Sequence, residues 1–112
     1  MNTRSIGAAY EEKAAAFLAE QGLEILDRNF RTREGEIDIV AREGAVLVIV
    51  EVKYRSSGRY GTALEAVTRS KQRQLRHMAG VYLSERMDRG CPVRFDVIGF
   101  TEGRIRWIRG AF

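Results

Sequence analysis

Two strongly apolar stretches separated by a short turn are the feature of this 112-residue sequence that most constrains its fold. The first stretch covers residues 36–40, and the second, residues 46–53, opens with five consecutive aliphatic residues. Between them, Arg42-Glu43-Gly44 has the composition of a turn. Runs of this length and β-branched content, joined by a short glycine-containing turn, predict an antiparallel β-hairpin.

Three charged residues interrupt this hairpin. Asp38 lies in the first stretch, while Glu51 and Lys53 lie two residues apart in the second. Residues two apart on a strand share a face, so Glu51 and Lys53 point to the same side, and Asp38 can converge on them from the neighbouring strand. Two carboxylates and an ammonium group in one place suit a divalent metal ion and a phosphodiester. The alternative is a cross-strand salt bridge without a chemical role.

The remaining sequence alternates between helical and extended patterns. We predict helices at residues 5–21 and 70–87, ended by Gly22 in the first case and capped by Ser70 in the second. The predicted strands are residues 23–30, 35–40, 46–53, 93–100 and 104–108, with a helical turn at 63–67. The order α-β-β-β-α-β-β predicts a single α/β domain over residues 1–112, with a mixed central sheet of about five strands and helices packed on it.

Positive charge is concentrated in the segment that follows the hairpin. The net charge of the chain is +4, and arginine outnumbers lysine sixteen to three. Between Lys53 and Arg76 the only acidic residue is Glu65. The arginine bias suits contact with phosphates, although a GC-rich genome would also produce it. The basic residues that we expect to contact nucleic acid are Arg55, Arg59, Lys71, Arg73 and Arg76.

Several classes of protein and site receive no support from the sequence. No apolar run approaches the ~20 residues of a membrane-spanning helix, and the N-terminal segment reads as a helix rather than a secretion signal. Cys91 is the only cysteine, which excludes an intramolecular disulfide and favours a cytoplasmic location. His77 has no partners at zinc-binding spacing, and no phosphate-binding glycine loop is present.

Either of two glutamates in the first helix can reach the hairpin. Glu11 shares a helical face with Ala14, Ala15 and Leu18, so it can point inward past small neighbours. Glu12 faces Ala15 and other alanines, and helical spacing alone does not exclude it. Both could instead be solvated acids stabilised by the helix dipole.

Four short motifs in a fixed order resemble the YraN family of bacterial proteins. They are Gly35-Glu36-Ile37-Asp38, Val50-Glu51-Val52-Lys53, Ala66-Val67-Thr68 followed by Lys71-Gln72, and Arg94-Phe95-Asp96-Val97. The family is similar to archaeal Holliday-junction resolvases and is placed in the PD-(D/E)xK nuclease superfamily. This resemblance runs from about residue 7 to the C-terminus and implies a restriction-endonuclease-like fold.

The resemblance also implies roles for individual residues. Seven residues before a leucine and eleven before a glycine, Glu11 matches the helix-one glutamate of the family, which selects it over Glu12. Asp38 and Glu51 match the motif acids, which would bind Mg²⁺ or Mn²⁺ together with the Val52 carbonyl and Glu11. Lys53 matches the catalytic lysine. The expected partner is DNA, including branched DNA, and a homodimer stays open. The rival expectations are a non-cleaving nucleic-acid-binding module of the same fold and a salt-bridged structural protein.

Overall fold

The structure, a computed structural model, describes residues 3–55, 67–86 and 90–112, without the side chains of residues 3–5 and 55. The elements follow the predicted order α-β-β-β-α-β-β. They are α1 (Thr3–Glu20), β1 (Glu24–Thr32), β2 (Gly35–Glu43), β3 (Val46–Arg55), α2 (Arg69–Arg86), β4 (Val93–Thr101) and β5 (Arg104–Ile108). The predicted α/β class is therefore confirmed. The helical turn expected at residues 63–67 falls outside the described residues, apart from Val67.

The five strands form one mixed sheet in the order β1-β2-β3-β4-β5. The β3–β4 pair is parallel and the other three pairs are antiparallel. A parallel neighbour requires a long connection, and α2 lies within the stretch of chain that joins β3 to β4. This arrangement is consistent with the restriction-endonuclease-like fold. Within the described residues, no helix is long and apolar enough to span a membrane.

Each helix packs with a different set of sheet residues. Alternation in β3 separates the two sets, since Leu47 and Ile49 belong to one buried cluster and Val48 and Val50 to the other. Helix α2 contributes Leu75, Met78, Ala79, Tyr82 and Leu83 to the first cluster. Helix α1 contributes Ala14, Ala15 and Leu18 to the second. Residues in the centre of β3 are thus buried on both faces, which explains why this stretch is continuously apolar.

Most element boundaries lie within two residues of the sequence prediction, as is usual at frayed ends. The exception is β2, which ends three residues later than predicted, so Arg42 and Glu43 of the predicted turn belong to the strand and pair with β3. Gly22 follows the end of α1 with a φ of +96°, and its predicted role as the helix terminator is confirmed. The predicted cap of the second helix is wrong by two positions. Thr68, not Ser70, is the N-cap, because its Oγ1 accepts a hydrogen bond of 3.1 Å from the Lys71 N–H.

Candidate functional site

Asp38 lies where the second and third strands separate. Backbone pairing between β2 and β3 ends at Ile39 and Val50, so the next opposed pair is Asp38 and Glu51. The Val52 N–H, next along β3, donates a hydrogen bond of 2.9 Å to Asp38 Oδ2. Because the N–H and C=O of one strand residue point to the same side, the Val52 carbonyl also lies on the side of Asp38. The side chain of Asp38 thus takes the place of a strand-to-strand contact.

The carboxyl groups of Asp38 and Glu51 form a buried pair. Glu51 is 3% exposed, and its carboxyl lies within hydrogen-bonding reach of Asp38. Burial, followed by the Glu51 carboxyl, raises the pKa of Asp38 to about 8, while the Val52 N–H and Lys71 act in the opposite direction. At neutral pH such a pair holds a proton, and a bound cation is the other way to balance its charge.

Two lysines flank Glu51 at equal distance. Lys53 Nζ and Lys71 Nζ each lie 3.6 Å from Glu51 Oε2. Lys53 comes from the same strand face, as alternation predicts, and Lys71 comes from the first turn of α2, whose start is fixed by the Thr68 cap. At 3.6 Å from Oε2, each ammonium group forms an ion pair with Glu51 but not a close hydrogen bond. The structure therefore brings Lys71, which the sequence assigned to DNA contact, to the carboxylate pair itself.

Glu11 approaches the pair from α1. Burial, followed by the charge of Asp38, raises the pKa of Glu11, while a hydrogen bond from Asn29 lowers it. Its Oε1 is buried and makes no hydrogen bond within the described part of the chain. Glu11 also lines a cleft of about 210 Å³ together with Val52 and Tyr54. A buried carboxylate oxygen without a donor is costly, and a cation or a water molecule would relieve that cost.

The three acids do not form a compact cage. In residues 3–55, 67–86 and 90–112, no three acidic, histidine or cysteine side chains lie close enough together to hold a metal ion by themselves. Asp38 and Glu51 are adjacent to each other. Glu11 is farther away, and its relation to the pair is that the charge of Asp38 raises its pKa. Mg²⁺ commonly uses one or two protein carboxylates and keeps several waters, so this arrangement fits Mg²⁺ better than a cation that needs a full set of protein ligands.

A second cleft adjoins the pair and explains the glycine of the first motif. It measures about 360 Å³ and is lined by Arg31, Thr32, Gly35, Glu36, Lys71 and Gln74. Gly35 has a φ of +148°, and a Cβ at this position would lie 2.8 Å from Gln74 Nε2. The positive φ favours glycine, and any larger residue would also displace the Gln74 amide. The contact with Gln74 was not visible in the sequence, because it joins residues that are 39 positions apart.

Of the four arginines predicted to contact DNA, two have described side chains. Arg73 is exposed on α2. The Arg76 guanidinium lies over the rings of Phe95 and Phe112, at 4.9 and 5.6 Å from their centres. The side chain of Arg55 and the whole of Arg59 lie outside the described residues. Their contact with nucleic acid stays a prediction, and Arg76 has in addition a packing contact that the sequence did not indicate.

The fourth motif builds a different kind of cluster. Asp96 on β4 is fully buried and accepts four hydrogen bonds of 2.9 Å. The donors are Arg94 Nε and Nη2, Trp107 Nε1 and the Gly110 N–H. Arg94 and Arg109 also bind Glu43, at 2.7 and 2.6 Å. Every lone-pair direction of Asp96 is thus used within the protein, which is typical of a structural role.

The model of the "Uncharacterised protein family UPF0102" matches residues 10–100. A UPF0102 protein of Lachnoclostridium phytofermentans is 48% identical, over 100% of this chain and 96% of the relative. A UPF0102 protein of Symbiobacterium thermophilum is 47% identical, over 98% of both chains.

One relative connects this family with the resemblance seen in the motifs. The UPF0102 protein YraN of Salmonella arizonae is 43% identical, over 100% of this chain and 87% of the relative. The predicted resemblance to the YraN family is therefore confirmed. The chain belongs to the UPF0102 family.

Proposed function

We propose that this protein is a metal-dependent nuclease that hydrolyses DNA phosphodiesters. The observation that carries the proposal is the buried Asp38–Glu51 pair, with Lys53 and Lys71 each 3.6 Å from Glu51. Two buried acids that cannot both be ionised without compensation lower the stability of the folded protein. Such groups are typical of functional sites. The UPF0102 membership and the order of the elements support the same reading through the resemblance to resolvases.

The donor set fits a hard divalent cation such as Mg²⁺ or Mn²⁺. Asp38 and Glu51 would bind it with their carboxylates, the Val52 carbonyl would supply a third oxygen, and Glu11 would act directly or through water. The buried, unpartnered Oε1 of Glu11 supports this fit. The cation would supply a water of lowered pKa and polarise the phosphate. The restriction-endonuclease-like resemblance implies the same ligands.

The lysines would act on the charge of the substrate. Lys53 shares the strand face of Glu51, so its ammonium group would orient the attacking water or stabilise the negative charge that develops on the phosphate. Lys71 also forms an ion pair with Glu51, but it belongs to α2 and lines the 360 Å³ cleft. It would hold a neighbouring phosphate oxygen. In the free protein both lysines compensate Glu51, which keeps their positions fixed before substrate arrives.

Contact with the rest of the DNA would be made by basic residues around the pair. Lys71, Arg73 and Arg76 lie on α2, Arg55 is the last residue of β3, and Arg59 follows β3 in sequence. Such contacts read the phosphate backbone and not the bases, so the protein would bind without strong sequence preference. The resemblance to Holliday-junction resolvases extends the proposed substrates to branched DNA.

The proposal is tested by incubating the wild-type protein with linear, nicked, flapped and four-way-junction DNA, with and without Mg²⁺ or Mn²⁺. The matched variants are Glu51→Gln, which alters the pair, and Glu43→Gln, which alters an acid of the Asp96 cluster. We expect metal-dependent cleavage by wild type and Glu43→Gln and none by Glu51→Gln. DNA binding without cleavage of any form would contradict the nuclease and favour a non-cleaving module. Absence of both DNA and metal binding would leave only the salt-bridged structural role.

A further inference from the structure

Asn29 has a backbone conformation that does not belong in a strand. Its φ is +54°, in the left-handed region, although it lies within β1. Its neighbours pair regularly, Arg28 with Ile39 and Phe30 with Ile37, so Asn29 stands opposite Asp38. In the described residues, the other non-glycine residue with positive φ is Glu102, in the turn between β4 and β5. Strained backbone inside a regular element is a reason to look for a function.

The regular alternation of β2 side chains between the two faces of the sheet is interrupted at the same place. Residues two apart on a strand share a face, yet Ile39 packs in the cluster of α1 and Ile37 in the cluster of α2. Asp38 lies between them. The irregularity therefore places Asp38 where it can approach Glu51, which lies on the α2 face of β3, and where its charge raises the pKa of Glu11, which comes from α1.

The side chain of Asn29 meets Glu11 at this point. Asn29 and Glu11 line one open cleft of about 410 Å³, together with Gly7, Ala8 and Arg31. The Asn29 side chain is close enough to the Glu11 carboxyl to lower its pKa, which offsets part of the effect of burial. Oε1 of Glu11 is buried and has no partner of its own among the described residues. Asn29 thus lies beside an acid whose Oε1 has no hydrogen-bond partner in the described part of the chain.

We propose that Asn29 is a positioning residue, which holds the Glu11 carboxyl towards Asp38 so that Glu11 can contribute to the metal site. The left-handed backbone is the means by which a strand residue opposite Asp38 directs its amide to a helix on one face of the sheet. This inference rests on the proposed function, because it needs a cation bound at Asp38 and Glu51. Residues that orient a metal ligand without touching the metal typically change affinity by about 10- to 100-fold when they are removed.

A bland explanation competes with this one. Asparagine tolerates the left-handed region better than most residues, so Asn29 could serve only the bend of the strand. Glycine separates the two explanations, because it adopts a φ near +54° without strain but has no amide side chain. Glu102, with a φ of +52°, supplies the matched control for the backbone effect alone.

The experiment is a calorimetric Mn²⁺ titration of five folded proteins: wild type, Asn29→Gly, Glu102→Gly, Glu11→Gln, and the double variant with Asn29→Gly and Glu11→Gln. Thermal unfolding checks that each is folded. We expect Asn29→Gly to bind Mn²⁺ about tenfold more weakly than wild type and Glu102→Gly to bind it equally well. In the Glu11→Gln background, Asn29→Gly should cause no further loss, since its effect passes through Glu11.

Three results would contradict the inference. Wild-type affinity in Asn29→Gly would show that the amide is not needed. An equal loss in the presence and absence of Glu11 would show that Asn29 acts by another route. Failure of wild type itself to bind Mn²⁺ would contradict the proposed function and this inference together, whereas the first two results leave the Asp38–Glu51 site intact.

Discussion

Two carboxylate clusters lie in the same sheet and are compensated in opposite ways. Asp96 on β4 accepts four hydrogen bonds of 2.9 Å from side chains and backbone. Asp38 has one backbone donor at 2.9 Å, and Glu51 has two ammonium groups at 3.6 Å. The Glu51 carboxyl also raises the pKa of Asp38. The first cluster is complete within the protein. The second is not complete in this way, because both lysines contact Glu51 and not Asp38, and each carboxyl makes ionisation of the other more costly; a bound cation would relieve that cost.

The contrast gives a simple rule for this fold. A buried acid whose donors all come from the chain stabilises the structure, and its removal should lower stability. A buried acid that is raised in pKa by a second acid costs stability, and its neutralisation should be tolerated. The two clusters should therefore respond with opposite signs to the same chemical change.

The largest expected effect follows from that rule. Asp96→Asn turns one acceptor oxygen into an NH₂ group that faces existing donors, and we expect a loss of about 3–5 kcal/mol in the free energy of unfolding. Asp38→Asn can still accept from the Val52 N–H and can donate to Glu51, so we expect unchanged stability or a gain of about 1 kcal/mol. Urea unfolding at neutral pH measures both. A large loss in Asp38→Asn would mean that the two clusters are alike.

A second prediction separates the two lysines. Lys53→Ala should lower the cleavage rate by about 10²–10³-fold, because a stabiliser of developing charge is lost, while Mn²⁺ affinity is largely kept. Lys71→Ala removes an ammonium group at the same distance from Glu51 and should mainly weaken DNA binding. Single-turnover rates and binding curves distinguish these outcomes. If Lys53→Ala cuts as fast as an active wild type, the role assigned to Lys53 is wrong.

A third prediction concerns the arginines on α2. Each phosphate contact contributes about 0.9 to the slope of log K against log salt for duplex DNA, so Arg73→Ala and Arg76→Ala should each flatten that slope by about 0.9. Arg76→Ala should also cost about 0.5–1 kcal/mol of stability, because its guanidinium lies on Phe95 and Phe112. Unchanged slopes in both variants would make these residues a solvated surface, outside the DNA interface.

The smallest effect is a pH dependence in the Asp96 cluster. Hydrogen bonds from Arg109 and then Arg94 hold the pKa of Glu43 below its ordinary 4.5. Its contribution to stability is therefore complete above pH 4.5 and is lost as the pH falls through the lowered pKa. We expect the stability difference between wild type and Glu43→Gln to shrink on acidification, as followed by urea unfolding between pH 6 and 3. A difference that is constant over this range would exclude the ion pairs as its source.

The hairpin and the convergence of Asp38, Glu51 and Lys53 could be predicted because they depend on local rules. Strand alternation fixes which residues share a face, and a short turn fixes which strand lies opposite. The same rules failed at Asn29, where the left-handed backbone and the change of facing between Ile37 and Ile39 break the alternation. The sequence of β1 contains no pattern that predicts this interruption of the alternation.

Contacts between residues that are far apart in the chain also could not be predicted from the sequence. Lys71 meets Glu51 from the first turn of α2, which Thr68 caps, and that cap was predicted two residues too late from the sequence. Arg76 finds Phe112 because the C-terminal residues return to β4, where the Ala111 N–H donates to the Phe95 carbonyl. These features follow from tertiary packing, and their residue types alone are compatible with a solvated helix face.

The most direct test of the central claim is a calorimetric Mn²⁺ titration of wild type, Asp38→Asn, Glu51→Gln and Glu43→Gln at neutral pH. Loss of a ligand oxygen should weaken binding at least as much as loss of a residue that only orients a ligand, which is about tenfold or more. The account predicts that Asp38→Asn and Glu51→Gln each weaken Mn²⁺ binding by at least this factor, while Glu43→Gln binds like wild type. Equal affinity in all four proteins would contradict the assignment of the Asp38–Glu51 pair as a metal site.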